Sequence, residues 1–236
     1  MLSASRRCVV FTGAGISTQS GIPDYRSPGG LWSRYRPVEF GDFLASEAAR
    51  REYWRRKFDT HDAIAEAEPN EGHLAIAELQ RRGKVIAVIT QNVDGLHGAC
   101  APSAESVIEL HGNTTYATCL GCAKRYELEP IREAFLADES LPVCGGCGAP
   151  VKTATISFGQ AMPTAEVARA EGYALDCDLF LAIGSSLRVQ PAASLPVLAK
   201  RNGARLVILN REATHLDEIA DLVLHAEIGP TLRAVL

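Results

Sequence analysis

Positive charge is in short supply in this chain: 24 Lys and Arg stand against 28 Asp and Glu, a formal net charge of -4. A protein that holds nucleic acid replaces counterions on phosphate with a basic surface, so general nucleic-acid binding is excluded as the leading reading. Long apolar runs are also missing. None reaches the roughly 18 residues of a spanning helix, so no membrane association is expected. The opening MLSASRR runs straight into an apolar strand and is too brief for a signal or transit peptide, which makes the cytoplasm the expected compartment. Cysteine is present as seven residues, an odd number. Four of them form two C-x-x-C pairs, a pattern that suits metal binding in a reducing compartment better than a disulfide framework. With 47% apolar residues over 236 positions, the chain can bury a core of one large domain plus a small insert.

The most informative stretch is TQNVDGLH, residues 90 to 97. KVIAVIT (Lys84 to Thr90) is a continuous, β-branched apolar run, which predicts a strand buried on both faces of a parallel sheet. Such sheets bind ligands at the C-terminal ends of their strands. There the sequence turns polar with Gln91, Asn92, Asp94 and His97, and VIEL (Val107 to Leu110) predicts a second strand that ends in His111. These five polar groups are expected to converge on one crevice. For a lone histidine the plain alternative is a buried, satisfied ring; the place of His111 after a strand's end argues against that reading.

Elsewhere strands and helices alternate. CVVF (Cys8 to Phe11) leads into Thr12-Gly13-Ala14-Gly15-Ile16-Ser17, where two glycines let backbone approach a phosphate and a helix start would offer free N–H groups to an anion. The third glycine of the usual fingerprint is lacking, so a simple strand-to-helix turn stays open. Gly21 to Gly30 holds two prolines and three glycines and predicts a long loop over that turn, with Asp24 and Arg26 near a cofactor or, alternatively, solvated. A single helix is predicted over 42–58, and another from Asn70 to Arg82 closed by Gly83, in which His73 is structural. In the first, Tyr53 and Arg56 share a face while Trp54 and Phe58 anchor another. A phenol beside a guanidinium suits an acidic acyl group, since Arg presents a planar fork to a carboxylate; a solvated basic face is the alternative.

Cys119-Leu-Gly-Cys122 and Cys144-Gly-Gly-Cys147 lie 21 residues apart. Four thiolates in two such knuckles close a tetrahedral shell around zinc, which makes the metal structural. The residues between them carry a balance of -2, against a nucleic-acid-reading ribbon. Cys8 and Cys177 adjoin apolar strands and read as small buried residues, while Cys100 in a loop is open to a reactive role. Further strands follow at 154–158, DLFLAI (178–183), ARLVILN (204–210) and LVLH (222–225), with helices near 164–174, 191–201 and from Pro230. The fold class is therefore α/β, a Rossmann-like doubly wound parallel sheet with a small inserted zinc-ribbon and helical domain. The large domain is assigned to 1–40, 84–113 and 154–236, the helical part of the small domain to 41–83, and the ribbon to 114–153.

GAGIS at 13–17, GIPDYR at 21–26, TQNVDGLH at 90–97, the His111-Gly112 pair, the paired knuckles, GSSLRVQP at 184–191 and LN at 209–210 resemble the sirtuin NAD-dependent protein deacylases in order and spacing, over nearly the whole chain. The resemblance implies NAD as co-substrate, structural Zn2+ and an acyl-lysine protein or peptide bound in a cleft between two domains. It makes His111 the general base that takes a proton from a ribose hydroxyl after the acyl oxygen has displaced nicotinamide. Asn92 would position the ribose and an ordered water, Asp94 with Val93 would hold the nicotinamide carboxamide, and Gln91 would touch the ribose. Gly13, Ala14, Gly15, Ser17, Asp24, Tyr25, Arg26, Gly184, Ser185, Ser186, Asn210, Arg211 and Glu212 would line the rest of the cofactor. Ile156, Phe158, Gly159 and Val189 would meet the substrate, with Tyr53 and Arg56 at its acyl group.

Tyr25 stands where the family usually has Phe, and Ser27 where many members have Gly. PDYRSPGGLW and YWRRKF are similar to the mitochondrial-type and bacterial class II branch, and ISFGQ at 156–160 replaces the usual run ending Phe-Gly-Glu. The branch implies a preference for acyl groups longer or more acidic than acetyl. ADP-ribosyl transfer or NAD hydrolysis would use the same cofactor residues and is the alternative function; a non-catalytic NAD-binding module is a further one.

Overall fold

The computed structural model describes residues 1–236. Strand β1 (Cys8–Thr12) is followed by helices α1 (Leu31–Arg34), α2 (Phe40–Ala45), α3 (Glu47–Asp59), α4 (His61–Ala65) and α5 (Glu71–Arg81). Next come β2 (Val85–Thr90), α6 (Leu96–Cys100), β3 (Val107–Glu109), β4 (Gly112–Cys119), β5 (Arg125–Glu127), α7 (Leu128–Asp138) and β6 (Val151–Thr155). The chain ends with α8 (Thr164–Asp176), β7 (Leu179–Ile183), α9 (Leu195–Arg201), β8 (Arg205–Leu209), β9 (Leu222–Leu224) and α10 (Ile228–Arg233).

Six strands pair in parallel in the order β3-β2-β1-β7-β8-β9. Every residue of β1 is buried because both faces of the sheet are covered. The period of two sorts them: Cys8 and Val10 pack with Ala75, Ile76 and Leu79 of α5 and Leu232 of α10. Val9 and Phe11 pack on the other side with Ala170 and Ala174 of α8 and Leu195 and Ala199 of α9. From β1 the chain winds outward through β2 and β3 on one side and later resumes at β7 on the other. The ends of β1 and β7 therefore form the switch point, where a doubly wound sheet opens a crevice.

The second sheet is antiparallel, in the order β5-β4-β6. Its core joins the two parts of the small lobe: Trp54 and Phe58 of α3 pack with Leu128, Ile131 and Phe135 of α7, Ala117 of β4 and Val151 of β6.

Four local expectations are corrected. The predicted helix over 42–58 is two helices, because Ser46 is extended (φ -137, ψ 128) and its hydroxyl caps α3 by accepting from Ala49 N at 3.3 Å. No α-helix follows Gly13; two short 3-10 turns, Ala14–Ile16 and Thr18–Ser20, stand there instead. The strand expected at 154–158 is β6, which ends at Thr155 and belongs to the small sheet, pairing with β4. Finally, α5 packs on the large sheet, so the helical part of the small lobe ends before it and not at residue 83.

Candidate active site

The two small-residue turns at the switch point interlock. Gly15 N donates to Gly184 O at 2.8 Å. A Cβ on Gly13 or Gly15 would lie 2.8 Å from Gly184 O, and Gly184 itself has φ +61, with a Cβ position 2.5 Å from Ile16 N. These glycines are thus required first for backbone to approach backbone, which differs from the phosphate-approach role expected of Gly13 and Gly15. A crevice of about 520 Å³ opens beside them. It is lined by Gly13, Ala14, Gly15, Gln91, Asn92, Val93, Gly184, Ser185, Ser186, Asn210, Arg211 and Glu212 on the large lobe, and by Asp24, Tyr25 and Arg26 of the loop above. Tyr53, Arg56, Ile156, Phe158, Gly159 and Val189 line it as well, with His111 between the two groups in sequence.

β2 delivers the polar cluster. Asn92 N donates to Thr90 Oγ1 at 3.0 Å, and Asn92 Nδ2 donates to Ser17 Oγ at 3.0 Å. Ser17 Oγ in turn donates to Asp94 Oδ2 at 2.7 Å, while Leu96 N donates to Asp94 Oδ1 at 3.0 Å. Asp94 is 9% exposed and Ser17 1% exposed, and neither lines the crevice. Both stand behind Asn92 and fix its amide by charge-assisted and neutral hydrogen bonds. Gln91 Nε2 donates to Ser185 Oγ at 2.7 Å, which ties the β2 end to the β7 end.

His111 sits on the turn between β3 and β4. Its Nδ1 donates to Gln91 O at 3.0 Å, which leaves Nε2 as the basic nitrogen. Burial lowers its pKa, and the Gln91 carbonyl opposes that shift, so the ring is neutral at neutral pH. His111 O accepts from Ile156 N at 2.8 Å, so the segment that follows β6 is registered directly on this residue. His97 does not join them. It is 4% exposed, its Nε2 bonds Thr12 Oγ1 at 2.9 Å, and its ring lies 4.7 Å from that of His73. The sequence expectation of five converging groups is corrected to three lining the crevice, one buttress and one buried ring. His73 completes a capping box with Asn70 at the start of α5, consistent with a structural role.

In the loop, Asp24 accepts from Arg26 N at 2.9 Å and Ser27 N at 2.8 Å, so its carboxylate shapes the loop. The Arg26 guanidinium stacks 4.0 Å over Trp32, which contacts both Tyr25 and Phe158. On the α3 side, Tyr53 hydroxyl bonds Thr153 and Thr155. Arg56 Nε donates to Glu52 Oε1 at 2.7 Å and Nη1 donates to Arg36 O. Both residues line the crevice, yet their polar ends are largely engaged within the protein. Crevice residues that sequence reasoning passed over include Trp32, Val38, Lys57, Thr60 and Ile64. The i, i+3, i+4, i+7 spacing of 53, 56, 57 and 60 was the signal that reveals the last polar members.

At the far side of the small lobe, Cys119, Cys122, Cys144 and Cys147 bring their sulfurs within 4.8 Å of one another. Cys119 and Cys147 are 3.4 Å apart and Cys122 and Cys144 3.6 Å. A tetrahedron with Zn–S near 2.3 Å has edges of about 3.8 Å, so the set fits a zinc ion. Gly121 N and Cys122 N donate to Cys119 Sγ at 3.3 and 3.4 Å, and Tyr126 hydroxyl donates to Cys144 Sγ at 3.1 Å, the kind of outer bonds that orient thiolate ligands.

Residues 13–191 match the Sir2 family. An NAD-dependent protein deacetylase of Rhodopseudomonas palustris is 56% identical over 232 residues, covering 98% of this chain and 92% of that protein. NAD-dependent protein deacetylase 1 of Bradyrhizobium diazoefficiens is 57% identical, with 98% and 91% covered. Among solved structures, a Sir2 protein with a p53 peptide and NAD+ superposes with a TM-score of 0.88 at 35% identity, covering 99% of this chain and 93% of that one.

Proposed function

The chain belongs to the Sir2 family, and from that premise we propose that it is an NAD-dependent protein-lysine deacylase whose acyl-lysine peptide enters the crevice between the two lobes, with His111 as its general base. The observation that carries the assignment is the neutral His111 ring, its Nδ1 proton committed to Gln91 O and its other nitrogen free at the crevice wall. When bound, NAD supplies a ribose carbon that accepts the acyl oxygen as nicotinamide departs. His111 Nε2 then receives a proton from a ribose hydroxyl, a step that needs the imidazole uncharged beforehand.

Asn92 holds its amide at the crevice through Ser17 and Asp94, a preorganised arrangement that orients the sugar without reorganisation during the reaction. The interlocked turns at Gly13, Gly15 and Gly184 form the crevice's nucleotide side, and Ser185, Ser186 and Asn210 supply polar groups to it. Tyr25 and Arg26, braced on Trp32, close the loop over it. Ile156 to Gly159 form the peptide edge, joined to the base through the Ile156 N to His111 O bond. The thiolate cluster would hold zinc in a structural role, its four sulfurs leaving no position for catalysis.

The finer reading concerns the acyl group. The crevice continues from Tyr53 along α3 past Arg56, Lys57 and Thr60 to Ile64 of α4, which supports acyl chains longer than acetyl, acidic ones included. The test is a panel of acetyl-, glutaryl- and lipoyl-lysine peptides with nicotinamide release and product mass as readouts. O-acyl-ADP-ribose identifies deacylation, whereas ADP-ribosylated protein or free ADP-ribose alone identifies the competing activities. His111→Tyr is expected to abolish NAD-dependent deacylation while the fold persists; unchanged turnover would remove the proposed base.

A further inference from the structure

Two cations of α3 line the crevice, and their states differ. Arg56 is paired: Glu52 accepts from its Nε at 2.7 Å and the Arg36 carbonyl accepts from Nη1. An acidic acyl group would have to compete with Glu52 for that guanidinium. Lys57, one residue on, is 8% exposed and forms no ion pair. Its one polar contact is His61 Nδ1 at 3.5 Å, and His61 turns its other nitrogen toward Glu129 at 3.9 Å. Burial pushes the Lys57 amine down to about 8, so it remains cationic at neutral pH. A buried ammonium with hydrogens to spare and no counter-charge is costly to hold unless a ligand supplies the anion.

The surroundings fit such a ligand. Lys57 lies four residues from Tyr53, about 6 Å along α3 at 1.5 Å per residue. It belongs to the wall, with Ile64, Thr114 and Ile156, that separates the crevice from a second cavity of about 890 Å³ behind it. The other deeply buried amine, Lys152, is satisfied: it donates to Thr155 O at 2.5 Å and does not line the crevice. Lys57 is thus the unpaired cation of the acyl side.

Resting on the deacylase reading above, we propose that Lys57, more than Arg56, determines specificity for acidic acyl groups, its ammonium receiving the terminal carboxylate of a dicarboxylic acyl chain. The carboxylate would complete an ion pair that the protein leaves half made.

The experiment uses the full chain and one peptide sequence carrying acetyl-, butyryl- or glutaryl-lysine, with kcat/KM measured for wild type, Lys57→Met, Lys57→Arg and Arg56→Met. A hydrogen bond to a charged group has the strength to lower the glutaryl-to-acetyl ratio about 10- to 100-fold in Lys57→Met. The loss should fall mainly on KM, since the carboxylate is remote from the reacting atoms. Lys57→Arg should restore much of the ratio, and Arg56→Met should move it less than Lys57→Met does. If wild type processes glutaryl-lysine and Lys57→Met leaves the ratio within about threefold, the assignment to Lys57 is overturned while acidic-acyl turnover stands. If the butyryl ratio falls in step with the glutaryl ratio, the loss is one of shape, and the assignment is again overturned. Absence of glutaryl turnover in wild type, with acetyl turnover intact, would remove the acidic-acyl reading and Lys57's role with it.

Discussion

Replacing Gly112 with Ala should uncouple the candidate base from the substrate edge. Gly112 has φ +72, and a Cβ placed there would sit 1.9 Å from the Ala154 carbonyl oxygen and 3.2 Å from Thr155 Cα. Neither atom belongs to a flexible side chain, so β4 and β6 must separate locally. The left-handed conformation costs a non-glycine residue about 1–2 kcal/mol. Losing a backbone bond where Gly112 pairs with Thr155 adds about 0.5–1.5 kcal/mol. The sum, about 1.5–3.5 kcal/mol, corresponds to a fall of about 3–14 °C in melting temperature for a chain of this size. Because His111 precedes this residue and its carbonyl accepts from Ile156 N, the imidazole shifts with it. Misplacement of a catalytic group by about 1 Å costs on the order of 10²-fold. Thermal unfolding followed by circular dichroism, with kcat/KM for an acetyl-lysine peptide, measures both effects. A variant that melts within about 2 °C of wild type and keeps kcat/KM within about threefold would refute the claim that this position couples base and edge.

Other perturbations probe separate links. Burial lowers the His111 pKa, and the neutral ring is the active form, so kcat/KM should be level above pH 7 on its acid side and fall at lower pH. The midpoint should lie below the ordinary histidine value of about 6.5; a midpoint above 7 would contradict the geometry. Asp94→Asn keeps the shape but removes the charge that receives Ser17 Oγ and Leu96 N. It should lower kcat/KM by about 10- to 100-fold, and a change below threefold would show that Asn92 holds its position unaided. Cys144→Ser should release zinc and disorder the small lobe, read by metal analysis and by loss of near-ultraviolet dichroism from Trp54, which packs with Cys144 in one cluster. Full zinc content in that variant would contradict the four-thiolate assignment.

Much of this architecture was legible because burial on both sides of a sheet leaves a plain mark. CVVF, KVIAVIT, DLFLAI and ARLVILN each read as strands, and each is one. The knuckle spacing likewise brought four sulfurs together. What the one-dimensional pattern hid was the third dimension of short polar contacts. Ser46 interrupts a run of helix formers through one side-chain cap, and propensity over a window does not register it. The strand expected at 154–158 starts three residues earlier as β6, where Lys152 is polar by composition yet fully buried. Asp94 and His97 stand close to Asn92 in sequence, but both Asp94 oxygens accept from Ser17 and Leu96, and beyond the left-handed Gly95 the His97 ring is held against Thr12 and His73. Lys57 does not stand out among its basic neighbours in sequence, because pairing, which separates it from Arg56, depends on Glu52 and Arg36 and not on the local run.

The most direct test follows all three products in one reaction. Incubated with NAD and an acyl-lysine peptide, the protein should release nicotinamide, deacylated peptide and O-acyl-ADP-ribose in equal amounts; once His111 is replaced by Tyr, deacylated peptide and O-acyl-ADP-ribose should no longer form, and nicotinamide release, which precedes the proton transfer, should no longer turn over. Nicotinamide released without loss of the acyl group, or deacylation that proceeds without NAD, would contradict it.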